Sequence, residues 1–225
     1  MSEQPNHWEE YEATLTNRRN SSSHDAPVRI ITSRADICPS KPRGSALGNS
    51  IGVVFKNKYL TVVQDRVESS GGSEFSYLRL LSGEFDPAGI AVLPLTSEKK
   101  LVLLYHYRHA TGAWHWEIPR GYCESTDLEK TVNQELCEEL GTSAVELTDL
   151  GFVYSNTGLM SERVQLYAAN IAAGPLAPTD ALEGSMIREI RQFSVKELER
   201  MILDGEITDS FTLAAILRAK LQGVI

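Results

Sequence analysis

The sequence predicts an α+β protein in which helices flank a mixed sheet. Residues 28–82 carry short β-branched or alternating runs, parted by clusters of Gly, Ser, Pro and Asn. Residues 90–94 (IAVLP) and 101–105 (LVLLY) are continuously apolar, the pattern of strands covered on both faces. The helical stretches further on do not alternate with strands in a regular βαβ rhythm. A chain of 225 residues can hold one large domain, or a domain with a small appendage, around a real core.

In chain order, residues 1–26 read as a polar extension. Its segment from His7 to Tyr11 has no clear apolar stripe and reads as a tail rather than a helix. Strands are expected at 28–32, 59–63 and 75–80, with 69–73 (SSGGS) as a hairpin-like connection. Together with the segments around them they make a small β-rich N-terminal subdomain, 27–86, ahead of a main domain, 87–225. Within the latter, a helix is expected at about 127–140. Thr126 and Glu129 stand at capping-box spacing, Leu128, Val132, Leu136 and Leu140 recur every four residues, and Gly141 can close it. Strands follow near 150–154, 164–169 and 187–193. Ser194 can cap a helix over 195–203, and Asp209 or Ser210 a last one carrying Leu213, Ile216, Leu217 and Leu221.

Charge and composition exclude several classes. Lys and Arg number 22 against 30 Asp and Glu, a net charge of −8, which argues against a nucleic-acid partner. No apolar run approaches the ~20 residues that span a bilayer, so no membrane partner is expected. The start, MSEQPNHWEE, is too polar for a secretory signal. Cys38, Cys123 and Cys137 are too few and scattered for a disulfide framework or a cysteine zinc site. A soluble, cytoplasmic protein is expected.

The acidic helix is the informative feature. Glu135, Glu138 and Glu139 stand at i, i+3 and i+4 and fall within an arc of about 100°. Glu138 and Glu139 occupy the last turn, where the helix dipole disfavours negative charge by about 0.3–1 kcal/mol each. The Glu135/Glu139 repulsion adds a few tenths of a kcal/mol. Local stability thus argues against this triad, and a hard divalent cation such as Mg²⁺ is what would need it. By spacing alone, a solvated acidic face is an equal reading.

The surroundings carry a resemblance. Residues 134–142 (QELCEELGT) fit the second half of the signature of the Nudix hydrolases, and 116–121 (WEIPRG) look like the strand and loop leading into it. Tyr107-Arg108 upstream, 157–163 (TGLMSER) and 205–209 (GEITD) downstream are similar to the ADP-ribose pyrophosphatase-like branch. The likeness covers about 58–225. It implies a Nudix α/β/α sandwich with mixed sheet, and Mg- or Mn-dependent hydrolysis of a nucleoside diphosphate linked to another moiety, ADP-ribose or a nucleoside diphosphate sugar first among them. By the same resemblance Glu135 and Glu139 would ligate the metal and Glu138 would share in ligation or help deprotonate water. The backbone carbonyl of Arg120 would complete the coordination, and Glu183 would be a general base. Arg108 would contact phosphate, with a surface arginine at a strand end as the plainer reading. Tyr59 and Tyr77 would serve a nucleoside pocket, and a homodimer is implied.

The chain also departs from that pattern. Gly121 and Gly141 stand 20 apart where the signature needs 21, Thr126 holds the place of its first Glu, and Gln134 holds the place of its Arg. Glu124 and Asp127 are nearby carboxylates. Gln cannot make a charge-assisted fork, so a catalytically weak Nudix-fold nucleotide-binding or regulatory module is the alternative reading. A dinucleoside polyphosphate or coenzyme-type pyrophosphate is the alternative substrate. His106, His109 and His115 lack metal-ligand spacing, at least one of Trp114 and Trp116 reads as core, and Cys123 and Cys137 read as core or loop thiols.

Overall fold

A computed structural model describes residues 7–16, 26–32, 51–82 and 85–225; Cys38 lies outside them. They divide into two compact units, one of residues up to Ser82 together with Asn156–Ser161, the other from Phe85 to Ser155 and from Glu162 to Ile225.

The first unit is a four-stranded antiparallel sheet: β1 (Val28–Ile30), β2 (Gly52–Lys56), β3 (Leu60–Ser69) and β4 (Glu74–Ser82). β4 pairs with β3 along its length, while β2 and β1 share the other edge of β3, near its start and its end. His7–Thr16 forms a helix, α1, rather than a tail. It is held by tertiary contact, as its weak stripe requires: Tyr11 is fully buried beside Val63, and Leu15, Val53 and Leu81 pack around them. The Tyr11 hydroxyl donates to Asp65 Oδ1 at 2.8 Å. Arg79 meets both oxygens of the same carboxylate, through Nε and, at 3.1 Å, through a terminal nitrogen. The segment 156–161 joins this unit, the Leu80 N–H donating to the Leu159 carbonyl at 2.9 Å.

The second unit is a seven-stranded mixed sheet. Its spine runs β11 (Ile187–Phe193), β6 (Leu101–Arg108), β5 (Gly89–Leu95), β10 (Arg163–Ile171), β9 (Ala144–Tyr154); β7 (Ala113–Glu117) lies on β6 and β8 (Arg120–Tyr122) on β5. Only the β5–β10 pair is parallel. All seven residues of β5 are buried, as its unbroken apolar run requires. On one face Ile90, Val92, Val102 and Leu104 pack with Val132, Leu136 and Leu140 of α2 (Leu128–Leu140). On the other, Ala91, Leu93, Leu101 and Leu103 pack with Leu198 of α4 (Val195–Leu203) and with Phe211, Ala215, Ile216 and Ala219 of α5 (Ser210–Leu221). This is the expected α/β/α sandwich. A short helix, α3 (Ala181–Met186), precedes β11; no periodic apolar pattern announced it.

Capping follows the sequence with one correction. Ser194 and Glu197 form a full capping box, and Asp209 caps α5. The cap of α2 is Asp127 and not Thr126: its Oδ1 accepts from the Lys130 N–H at 3.0 Å. Gly141 closes α2 at φ 66°, and a Cβ there would stand 2.6 Å from the Ala177 carbonyl oxygen. The carbonyls of the last turn are taken up by the 177–180 segment, as a helix end near other chain must be. Ala177 N–H donates to Leu140, Thr179 N–H to Glu138, and the Thr179 hydroxyl to Cys137.

Candidate active site

The sheet of the second unit forks. β5 and β6 are paired only at Leu95 and Leu101. Beyond that point β7 continues on β6 and β8 on β5, so residues 117–120 cross from one branch to the other. The Thr212 hydroxyl at the start of α5 fixes the crossing by accepting from the Ile118 N–H at 3.0 Å. A sheet that opens between adjacent strands leaves a crevice at their ends, a recurrent place for ligands.

A carboxylate sits at the fork. Glu117 is 1% exposed and its oxygens gather three cationic or titratable partners. Arg108 donates to Oε1, His106 Nδ1 lies 3.0 Å from the same oxygen, and Arg120 donates to Oε2 at 3.3 Å. Burial pushes the Glu117 pKa up, but hydrogen bonds from His106 and Arg108 and the charges of Arg120 and Arg108 outweigh it, and the net direction is down. Glu117 is therefore an ionised acceptor at neutral pH. Arg120 also lies 3.6 Å from Asp209 and over the ring of Phe211, at 5.2 Å.

The acidic helix meets the fork through β8. A Cβ on Gly121 would lie 2.0 Å from Glu135 Oε1, so the carboxylate fills the space that any side chain there would take. That is the physical reason for glycine at this position. Glu139, one turn on and about 40° round the helix, is 2% exposed. Glu138 Oε1 accepts from Gln134 Nε2 at 3.0 Å.

Arg120 has two ends that matter. On the β5–β8 ladder, Val92 N–H donates to Pro119 and Cys123 N–H to Ala88. Arg120 stands opposite Ala91, between those bonded positions, so its carbonyl is directed away from β5. The side chain reaches into the fork. Glu135, Glu139 and the Arg120 carbonyl are thus oxygen donors of the kind Mg²⁺ or Mn²⁺ takes. Among the described residues no three His, Cys, Asp or Glu side chains converge as a metal cluster. A cation would rest on Glu135, Glu139 and the Arg120 carbonyl, with Glu138 beside the two glutamates on the same helix.

Other expected residues lie on other elements. Tyr59 and Tyr77 belong to the first unit; Tyr59 is exposed with Lys58 Nζ 4.5 Å from its ring centre, and the Tyr77 hydroxyl donates to the Gly158 carbonyl at 2.5 Å. Glu183 is in α3, and its side chain lies outside the described residues. His115 bonds Thr111 at 2.7 Å, Trp116 is core, and Trp114 is half-buried with the Arg188 guanidinium 4.0 Å from its ring centre. Glu117 is not singled out by the sequence, and Asp209 is read there only as a helix cap and as part of 205–209. The available signal was an acid between Trp116 and Ile118, in a run whose neighbours belong inside.

Comparison with known proteins agrees with this geometry. A family model described as NUDIX domain matches residues 86–212, more than half of the chain. An ADP-ribose pyrophosphatase of Bacillus subtilis (strain 168) is 27% identical over 137 residues, 60% of this chain and 74% of the relative. One from Mycobacterium tuberculosis (strain ATCC 25618 / H37Rv) is 25% identical over 57% of this chain and 62% of its own length. A methanol dehydrogenase activator of Bacillus methanolicus is 27% identical over 60% of this chain and 74% of its own. A crystal structure titled as an ADP compounds hydrolase superposes with a TM-score of 0.62 at 20% identity, covering 78% of this chain and 95% of that one, which speaks for the fold.

Proposed function

Because the chain belongs to the NUDIX family, we propose that it is a pyrophosphohydrolase acting on a nucleoside diphosphate linked to another moiety, with ADP-ribose the first substrate to try. The observation that carries this is the Glu135 carboxylate seated against Gly121. It brings the acidic helix to the strand that also carries Arg120, so oxygen donors and a guanidinium flank one short stretch of backbone.

In this reading Glu135, Glu139 and the Arg120 carbonyl hold Mg²⁺ or Mn²⁺. The bound ion supplies charge neutralisation at the diphosphate and a lowered pKa for water. Arg108 and Arg120 bind phosphate oxygens from the fork, as guanidinium geometry suits. Glu138 or Glu183 takes the proton of the attacking water. Water adds to one phosphorus, the bridging P–O bond breaks, and ADP-ribose would give AMP and ribose 5-phosphate. Tyr59 and Tyr77 as nucleoside contacts, a homodimer and a cytoplasmic location belong to the same proposal. No helix among the described residues is long and apolar enough to cross a membrane.

Gln134 bears on the alternative of a weak or silent binding module. It supplies a neutral hydrogen bond to Glu138 where the family's arginine would supply a charged one. The test is product mass analysis of nucleoside diphosphate compounds, including ADP-ribose, with and without Mg²⁺, using Glu139→Gln as control. Metal-dependent AMP release, lowered about 100-fold or more in Glu139→Gln, is expected. Tight nucleotide binding without products would overturn the enzyme in favour of the binding module.

A further inference from the structure

The fork carries two guanidiniums whose donors outnumber the carboxylate oxygens they meet. Glu117 is one anion shared by two guanidiniums. Each guanidinium carries five N–H donors, and the ion pairs with Glu117 use only part of them. Arg108 Nε has no hydrogen-bond acceptor among the described residues. Asp209, the other carboxylate near Arg120, caps α5 with its Oδ2, which accepts from the Thr212 N–H at 2.9 Å and the Thr212 hydroxyl at 2.8 Å, while its Oδ1 lies 3.6 Å from Arg120. The arginine side chains are 29% and 26% exposed, whereas that of Glu117 is 1% exposed. The anion is sealed in and the cations look outward.

Two like charges drawn to one carboxylate would separate if it were removed. We propose that Glu117 is a positioning residue that holds Arg108 and Arg120 as one guanidinium pair for the diphosphate of the substrate. Glu117 itself touches no reacting atom. It acts by fixing the distance and orientation of two donors, so that they meet adjacent phosphoryl oxygens without reorganising. The proposal rests on the hydrolase reading of the site and adds the group that orients its cationic side.

The sign of one substitution separates positioning from bulk charge. Glu117→Gln makes the site more positive by one unit, so charge alone predicts tighter binding of an anion. Positioning predicts the opposite, because Arg108 and Arg120 use different oxygens of Glu117, and the amide nitrogen that replaces one of them cannot accept. The probe is methylenediphosphonate, whose P–C–P link resists hydrolysis, titrated calorimetrically into the full chain at fixed Mg²⁺. Arg108→Ala and Arg120→Ala should each weaken binding roughly tenfold to a hundredfold. The double variant should lose much less than the product of the two, and Glu117→Gln should weaken binding about tenfold. Unchanged or tighter binding in Glu117→Gln overturns the proposal, as does a wild type that does not bind the probe. If Glu117→Gln does not fold, the arginine cycle decides, and independent effects of the two arginines overturn it. Turnover of ADP-ribose with a probe affinity indifferent to the arginines sinks the pair alone. Coupled arginine binding without turnover of any nucleoside diphosphate sinks the hydrolase and leaves the pair standing.

Discussion

Each unit of this protein buries one carboxylate against arginine, and the two arrangements differ in what they leave over. In the N-terminal sheet Asp65 is 1% exposed, Arg79 9% and Tyr11 fully buried, so acid, base and hydroxyl satisfy one another out of reach of solvent. In the forked sheet Glu117 is as deeply buried but faces two arginines that remain partly exposed. A closed pair with matched charge is a pin that fixes one packing, and whether such a pair adds net stability depends on geometry. An open cluster whose arginines keep unused donors near the surface has capacity for a further anion. Burial of an ion pair alone does not separate the two cases; the exposure of the arginines does.

The largest effect should come from breaking the closed pair. Asp65→Ala leaves Arg79 buried with no counter-charge and the Tyr11 hydroxyl without its acceptor. A loss of about 3–5 kcal/mol is expected, read by denaturant unfolding. A loss below about 1 kcal/mol would mean that Arg79 can reach water, and the contrast between the clusters would fail. The open cluster responds to acid. The folded pKa of Glu117 lies below its ordinary 4.5, so its contribution to stability is complete above about that pH and is lost as pH falls through the lower folded value. Unfolding midpoints from pH 6 downward should show this loss, and Glu117→Gln should remove that part of the slope.

An intermediate effect is expected where the acidic helix meets β8. In Gly121→Ala the new Cβ would occupy the place of Glu135 Oε1, and the far end of a flexible side chain can move aside. The fold should persist while the carboxylate is displaced. Catalytic efficiency on the substrate found by the panel should fall about 10–100-fold, or about 1.4–2.7 kcal/mol in activation free energy, with a midpoint shift of only a few degrees. A large stability loss with unaltered turnover per folded molecule would remove Glu135 from the site.

Much of the fold was legible in the sequence, because it rests on local patterns. The unbroken apolar runs of β5 and β6 announced strands covered on both faces, and the four-residue spacing of Val132, Leu136 and Leu140 announced the buried face of α2. Strand β2 was not foreseen, since Gly52–Lys56 is short and its Lys56 and half-exposed Phe55 break the pattern. Helix α1 was misread because Tyr11 is buried by Val63 and Asp65, which lie more than 50 residues away. The site divides in the same way. The glutamates of α2 are visible as a local violation of helix electrostatics. Glu117 became visible only when three strands and α5 converged on the fork, since a single acid at the end of a strand carries no spacing to read.

The smallest expected effect tests a residue that the sequence offers as a spare carboxylate and the structure uses as a helix cap. Asp127 is an acid near the place of the signature's missing Glu, but its Oδ1 accepts from the Lys130 N–H and it begins α2. A carboxylate used as a cap is oriented along the helix axis toward the first free N–H groups. Asp127→Ala should therefore cost about 1 kcal/mol of stability, and Asp127→Ser, which caps equally well, should restore most of it. Metal-dependent turnover per folded molecule should stay within about twofold in both, because Glu135 and Glu139 lie two or more turns further along the helix. If Asp127→Ser instead recovers the stability but loses activity tenfold, Asp127 is reaching the cation or its water. The acidic helix would then engage the site from both of its ends.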